Sequence, residues 1–364
     1  MTQRERQILT WITENPMITQ EELAERAGIT RSSVGVHISH LMKKGHILGK
    51  GYLLPPSGYV AVAGAVNVDI GGRSAGPLVG RDSNPGTVTV SMGGVGRNIA
   101  HNLRLLGAQV SLLTALGEDA HAGQVAESCQ RLGIDLSRAL RVPGGTTSTY
   151  LFLSDETGDL ALAVSDMGIY EALTPDYFAR HLTFLNGADL VVADANLPQE
   201  ALHYLARHCT APLLVDPVST VKAEKIRDIL GRIHTLKPNR MEAEFLSGVK
   251  ITDRASARRA AEKLLATGLH RVFISLGQDG VFAADGTGDV WYPCCPAQMR
   301  SATGAGDAFA AALGWAFLAG KNLAESAKAA NAAASIAVEG EETINPALSP
   351  ERVQERMTQQ EEPL

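Results

Sequence analysis

The stretch of this chain best equipped for chemistry is Ala302-Thr303-Gly304-Ala305-Gly306-Asp307-Ala308-Phe309, which runs into an apolar helical pattern ending near Gly320. Small residues at a helix start let the backbone N–H groups of Gly304, Ala305 and Gly306 converge, and the helix dipole adds positive potential there. That is a nest for an anion. A carboxylate inside such a nest repels phosphate, so Asp307 needs another use. As a base it takes the proton from an attacking hydroxyl. A Gly-rich turn with Asp307 as a plain helix cap gives the same string, so other residues must decide.

Five further strings bear on the decision. Gly64-Ala65-Val66-Asn67-Val68-Asp69 ends an apolar run with an amide and a carboxylate. Gly93-Gly94-Val95-Gly96-Arg97-Asn98-Ile99-Ala100 sets a glycine pair before an Asn at a helix start. Gly117-Glu118-Asp119 with Gly123, Lys237-Pro238-Asn239-Arg240-Met241-Glu242, and Ser275-Leu276-Gly277-Gln278-Asp279-Gly280 follow. Singly, each has a bland reading: Asp69 as a turn residue, Asn98 as an N-cap, Glu242 as a solvated helix residue. All of them occurring together by chance is improbable.

In this order, over residues 59 to about 345, the motifs resemble those of the ribokinase/PfkB family of carbohydrate and nucleoside kinases. The resemblance implies that Asp307 is the catalytic base, with the amides of Gly304, Ala305 and Gly306 as the anion hole. It gives Asp69, Asn67 and Asn98 the substrate hydroxyls, with Gly93 and Gly94 letting the backbone close on the ring. Lys237, Asn239, Ser275, Gly277, Gly280, Thr303 and Asn331 fall on the ATP side, where Asn239 and Glu242 would organise Mg²⁺ through its waters. One departure stands out. Where the family commonly has Asp-Thr, this chain has Ser301-Ala302. Serine lacks the charge of the Asp that contributes to a monovalent-cation site, so K⁺ is not carried over. Asp194-Ala195-Asn196-Leu197-Pro198, Asp216-Pro217-Val218-Ser219 and Ser165-Asp166-Met167 look closest to the pseudouridine-kinase branch. That branch implies phosphorylation of a nucleoside 5′-hydroxyl, with Asp166 and Met167 on the base side of the pocket. A ribose or hexose kinase, and a ligand-responsive DNA-binding regulator built on a kinase fold, are the competing readings.

The elements that must hold these residues are legible as well. Tyr59–Val66, Val110–Ala115, Leu190–Ala193, Leu213–Val215 and Val272–Ser275 are apolar runs typical of buried parallel strands. Between them lie helical stretches at Asn98–Leu106, Gly123–Leu132, Pro198–His208, Ala255–Thr267 and Asp307–Ala319. The alternation predicts an α/β doubly wound sheet over residues 59–349. Residues 71–90 and 146–166 break the rhythm and predict a small antiparallel β lid over the cleft. The polar tail, 350–364, is expected to be loosely held.

Residues 1–54 read differently. Gln3–Glu14, a segment opened by Thr19 and Glu22, and Arg31–Lys44 form three short helical patterns, the last with Val34, Ile38, Leu41 and Met42 as its buried stripe. With a short β-wing over His46–Leu54, the segment resembles a winged helix-turn-helix, joined by a linker at 55–58. Its third helix would present Arg31, Ser33, His37, His40 and Lys44 to DNA. This head carries seven basic and five acidic residues, a net of +2 on a chain of net −6, so DNA is a partner for the head alone. A packing or dimerisation module fits the same pattern.

With 45% apolar residues the chain can bury a large core, and no apolar run reaches the roughly 18 residues that span a bilayer. The N-terminus lacks an apolar signal-peptide core, and the four cysteines form no CxxC pair. A cytoplasmic enzyme with reduced thiols is the expectation. Lid strands in the resembled family often pair between protomers, which implies a homodimer.

Overall fold

The computed structural model describes residues 1–15, 17–47 and 58–360. Most of the expected wing and linker lies outside them. The N-terminal helices are α1 (Gln3–Glu14), α2 (Gln20–Ala27) and α3 (Arg31–Lys43). Reciprocal caps start the first two: Thr2 with Glu5, and Thr19 with Glu22. Gly28, at φ 63°, ends α2 in the left-handed region that suits glycine. Ile8, Ile12, Leu23, Val34, Ile38 and Leu41 make a small core, whereas Met42 is 37% exposed and does not belong to it.

The expected DNA face is partly committed elsewhere. Lys44 donates to both carboxylate oxygens of the buried Glu5, at 2.9 and 2.8 Å, and His40 Nδ1 lies 3.6 Å from the same group. Arg31 pairs with Glu21 at 3.1 Å, and the Ser33 hydroxyl shares a hydrogen bond with Thr30 at 2.9 Å. His37 is half-buried. Lys44 therefore ties α3 to α1 rather than standing free as a phosphate contact. Beyond α3, Gly45 abuts the helix Pro175–Gly187, so closely that a side chain there would strike the Thr183 carbonyl. The head thus rests on the body.

The body is built on a nine-stranded sheet. From one edge its order is Gly288–Tyr292, Val281–Asp285, Arg271–Ser275, Thr235–Leu236, Leu213–Asp216, Leu190–Asp194, Tyr59–Ala63, Gln109–Leu113 and Ile134–Asp135. The strands are parallel except for the 281–285/288–292 hairpin at the edge, which the strand-helix rhythm did not reveal. Strand Tyr59–Ala63 is buried throughout because helices cover both faces. Tyr59, Ala61 and Ala63 pack toward the helices at 175–187, 199–208, 240–247 and 254–265. Val60 and Val62 face those at 95–105, 120–132, 305–318 and 323–338. Among the described residues no helix is long and apolar enough to cross a membrane.

A four-stranded lid stands over the carboxyl ends of the strands, in the order Gly86–Gly93, Asn67–Ser74, Thr149–Ser154, Leu160–Asp166. It is mixed rather than antiparallel, because Asn67–Ser74 and Thr149–Ser154 run parallel. Asp69, Ser91 and Tyr150 share one face with Thr89 and Phe152. The opposite face carries exposed Val88, Val90, Leu151, Leu153, Leu162 and Val164. The tail also departs from expectation. Ser349 caps a helix, Pro350–Thr358, whose Val353 and Met357 are buried.

Candidate active site

The helix Ala305–Leu318 begins at Gly304, whose φ of 83° is left-handed. A side chain there would also collide with the Thr343 carbonyl, so both dihedral and space require glycine. The first intrahelical bond runs from the Ala308 amide to the Gly304 carbonyl at 2.9 Å. The amides of Gly304, Ala305, Gly306 and Asp307 precede it and have no helical acceptor. The expected trio of Gly304, Ala305 and Gly306 is among these candidate donors.

Asp307 sits at this helix start, and Asn98 Nδ2 donates to its Oδ2 at 2.9 Å. Asn98 belongs to the helix Val95–Leu105, so one hydrogen bond joins the two glycine-rich motifs across 209 positions of sequence. Removal from water pushes the Asp307 carboxyl up to about 7, with the nearby Asp216 charge as the next cause; Asn98 and Lys237 pull the other way. A half-titrated carboxylate near neutral pH is matched to proton transfer.

Beneath the nest lies a buried ion pair. Lys237 Nζ contacts Asp216 Oδ2 at 2.8 Å, their side chains 7% and 4% exposed. A Cβ added at Gly306 would come to 3.1 Å from the ammonium, which places this charge directly under the helix start. Burial works against the Lys237 cation, but Asp216 more than offsets it and holds the group charged. The other Asp216 oxygen accepts from the Val218 amide at 2.8 Å, and Val218 itself adopts φ 68°. Left-handed backbone is strained for a β-branched residue, and such strain clusters at functional sites.

Asn239 and Glu242 form a reciprocal cap. The Asn239 amide and Nδ2 donate to the two Glu242 oxygens at 2.8 and 2.7 Å, and the Glu242 amide donates back at 2.9 Å. Glu242 is buried, and desolvation raises its carboxyl above the usual range. This pair borders a trough of about 560 Å³ shared with Asp216, Lys237, Ser275, Gly277 and Asp307. A cavity of about 430 Å³ continues from it, lined by Ser275, Gly277, Gly280, Phe309, Cys294, Cys295 and Asn331. Asn331 is fixed there by donating Nδ2 to the Pro293 carbonyl at 2.7 Å.

A separate cavity of about 990 Å³ lies between lid and core. Asn67 donates to Asp69 across its floor. Burial pushes the Asp69 carboxyl up to about 6. The glycine pair is required by close packing. A side chain at Gly93 would strike the Asp69 carboxylate, and one at Gly94, where φ is 96°, would strike the Ala65–Val66 backbone. The pair makes room for Asp69 and its strand. Thr303, expected beside the nucleotide, lines this cavity together with Ser301. Asp166 and Met167 are not part of its lining: Asp166 is exposed at the end of its strand, and Met167 packs on the core. Tyr150, Phe152, Arg97 and His101 stand in the wall instead. Sequence reading missed these four; for the aromatics the signal was there, since alternation puts both on one lid face. Asp194 is structural. It accepts from the Ala65 and Asn196 amides at 2.8 and 2.9 Å and pins the end of the first core strand.

The pfkB family carbohydrate kinase model matches residues 57–350, and a winged helix-turn-helix DNA-binding model matches residues 1–47. An Escherichia coli protein named uncharacterized sugar kinase YeiI is 39% identical over 96% of this chain and 97% of its own length. The Escherichia coli pseudouridine kinase is 41% identical over 80% of this chain and 94% of its own. Among solved structures, a carbohydrate kinase from Agrobacterium tumefaciens superposes with a TM-score of 0.73 at 29% identity, covering 83% of this chain and 97% of that one. Ribokinase of Arabidopsis thaliana, complexed with ribose and ATP, shares the fold at a TM-score of 0.74 and 24% identity, over 83% and 99% of the two chains. With the same motifs gathered around one carboxylate at a helix start, this chain belongs to the pfkB family of carbohydrate kinases and is a phosphotransferase acting on a hydroxyl group, with a winged helix-turn-helix at its N-terminus.

Proposed function

We propose that the protein transfers the γ-phosphoryl group of ATP to the 5′-hydroxyl of a nucleoside, with pseudouridine the leading substrate. The observation that carries this reading is the aromatic wall of the substrate cavity. Tyr150 and Phe152, their centroids 5.6 Å apart, project from the lid on the same face as Asp69. A sugar alone has hydroxyls for Asp69 and Asn67 but no flat face for two aromatic rings, whereas a nucleobase does. The cavity of about 990 Å³ is larger than a pentose needs. The 41% identity to a pseudouridine kinase supports the same choice.

The chemistry follows from the placement of groups. The ribose lies over Asp69 and Asn67 with its 5′-oxygen toward Asp307. Asn98 holds one oxygen of the Asp307 carboxylate and so aims the other at the hydroxyl. The hydroxyl proton passes to Asp307 as the new O–P bond forms, and the bond between the γ-phosphorus and the β,γ-bridging oxygen breaks to release ADP. The amides of Ala305, Gly306 and Asp307, with Lys237 beneath, stabilise the charge of the transferring group. Adenosine occupies the cavity of Gly277, Gly280 and Asn331. Among the described residues no group of three or more ligating side chains could enclose a metal. Mg²⁺ fits on other terms, because it retains waters and takes one or two carboxylates plus phosphate oxygens. Glu242 and Asp216 beside the trough supply that much and no more.

ADP release, measured with pseudouridine, uridine, inosine, cytidine, ribose and fructose as acceptors, tests the reading. The expected result is a kcat/KM for a nucleoside at least about a hundredfold above that for ribose, since each lost stacking or hydrogen-bonding contact lowers kcat/KM by about tenfold. A ribose or hexose preference overturns it.

A further inference from the structure

The cavity proposed for adenosine lies between two walls. One is the segment 293–299, which includes Cys295 and Ala297 and contains no helix or strand. The other is the helix Leu323–Val338, which contributes Asn331, Ala334 and Ser335. Backbone bonds join the two at one end, where the Arg300 and Ser301 amides donate to the Val338 carbonyl at 2.8 and 3.2 Å. An irregular segment takes its position from what it is bonded to, so the remaining ties decide how wide the cavity stands.

Those ties run through the C-terminal tail. Arg356, on the helix Pro350–Thr358, reaches both walls. One guanidinium nitrogen donates to the Pro296 carbonyl and to the Ser335 hydroxyl, each at 3.1 Å. The other lies 3.2 Å from both oxygens of the Glu339 carboxylate, at the end of the second wall. Just past the tail helix, Gln360 accepts from Asn331 Nδ2 at 3.1 Å and donates to the Lys328 carbonyl at 2.8 Å. The same Asn331 nitrogen donates to the Pro293 carbonyl at 2.7 Å, so Gln360 steadies the second bridge between the walls. Val353 and Met357 seat the tail helix on the core, which leaves Arg356 and Gln360 for the cavity. A planar guanidinium held by a carbonyl, a hydroxyl and a carboxylate fixes their separation as a flexible cation does not. A slot held open at the width of a flat base loses less conformational freedom when the base enters.

We infer that Arg356 and Gln360 are positioning residues for the nucleotide. Neither lines the cavity; they clamp its two walls and thereby set the affinity for ATP, without acting on the phosphoryl acceptor. The inference rests on the placement of adenosine in this cavity, and it makes the tail a working part of the nucleotide site.

Calorimetric titrations of the full chain with a non-hydrolysable ATP analogue, and with pseudouridine (or ribose, if wild type prefers it), test the assignment. Thermal melts report that each variant is folded. Arg356→Ala weakens binding of the analogue about tenfold and Gln360→Ala about threefold, while acceptor binding stays within about twofold of wild type in both. Gln360 stands beyond the helix end, so its variant also melts within about 2 °C of wild type and decides the matter if Arg356→Ala does not fold. Analogue binding unchanged in the folded variants, or acceptor binding weakened in step with it, overturns the proposal. Ala334→Phe, which puts a ring into the cavity itself, separates the two levels. If it binds the analogue as wild type does, adenosine lies elsewhere, and the nucleotide placement falls together with this proposal. If it loses the analogue while Arg356→Ala and Gln360→Ala keep it, only the role of the tail falls.

Discussion

Asp307→Asn lowers kcat by about 10³ to 10⁴ and leaves the dissociation constant of the nucleoside within a few-fold of wild type. The amide keeps the shape of the carboxylate and its contact with Asn98, but it cannot take the hydroxyl proton. The loss therefore appears in the chemical step, and calorimetric titration shows binding preserved. The wild-type pH profile belongs to the same expectation. Asp307 works as a base only when ionised, and its carboxyl is raised to about 7 by burial and by Asp216. The sign is fixed by this: kcat/KM is flat above that pH and falls about tenfold per pH unit below it. In Asp307→Asn the acid limb disappears with the activity. A variant that retains a tenth of the wild-type rate, or a wild-type profile still flat at pH 5.5, removes Asp307 from the role of base.

The second large effect concerns stability. Lys237→Met leaves Asp216 as a buried carboxylate with no counter-charge, close to Asp307 and Asp194, and costs about 3 to 5 kcal/mol in urea denaturation. Its remaining activity should show an acid limb shifted to higher pH, because Lys237 is one of the groups holding the Asp307 carboxyl down. The double variant Asp216→Leu/Lys237→Met buries neither charge and recovers most of the lost stability while staying inactive. Recovery without activity separates the structural work of the pair from its electrostatic work under the phosphate. A loss below about 1 kcal/mol in Lys237→Met shows the site to be wet and the pair to be weak.

Both effects rest on residues that were unequally visible in the chain. The core was legible because buried parallel strands are written as short apolar runs, and Tyr59–Ala63 is buried at every position. Asp307 and Asn98 were legible because glycine-rich helix starts mark them. The lid's strand directions were not, since period-2 alternation fixes which face a side chain takes but leaves the partner's direction open. The Lys237–Asp216 pair was hidden for a similar reason. The two residues are 21 positions apart and meet only because their strands are aligned in the sheet. The tail helix did carry a signal that was passed over: Ser349 before Pro350, then Val353 and Met357 four residues apart. Asp166 and Met167 rest on resemblance alone; Asp166 is exposed, and Met167 is half-buried against the core. The close approach of Gly93 and Gly94 to Asp69 and the Ala65–Val66 backbone carries no mark in the sequence beyond the glycines themselves.

A crystal structure with pseudouridine and a non-hydrolysable ATP analogue bound together tests the central claim most directly. The account predicts the 5′-oxygen within about 3 Å of the Asp307 carboxylate, in line with the γ-phosphorus above the amides of Ala305 and Gly306. A nucleoside bound with its 5′-oxygen turned away from Asp307, or with another hydroxyl in that place, would contradict it.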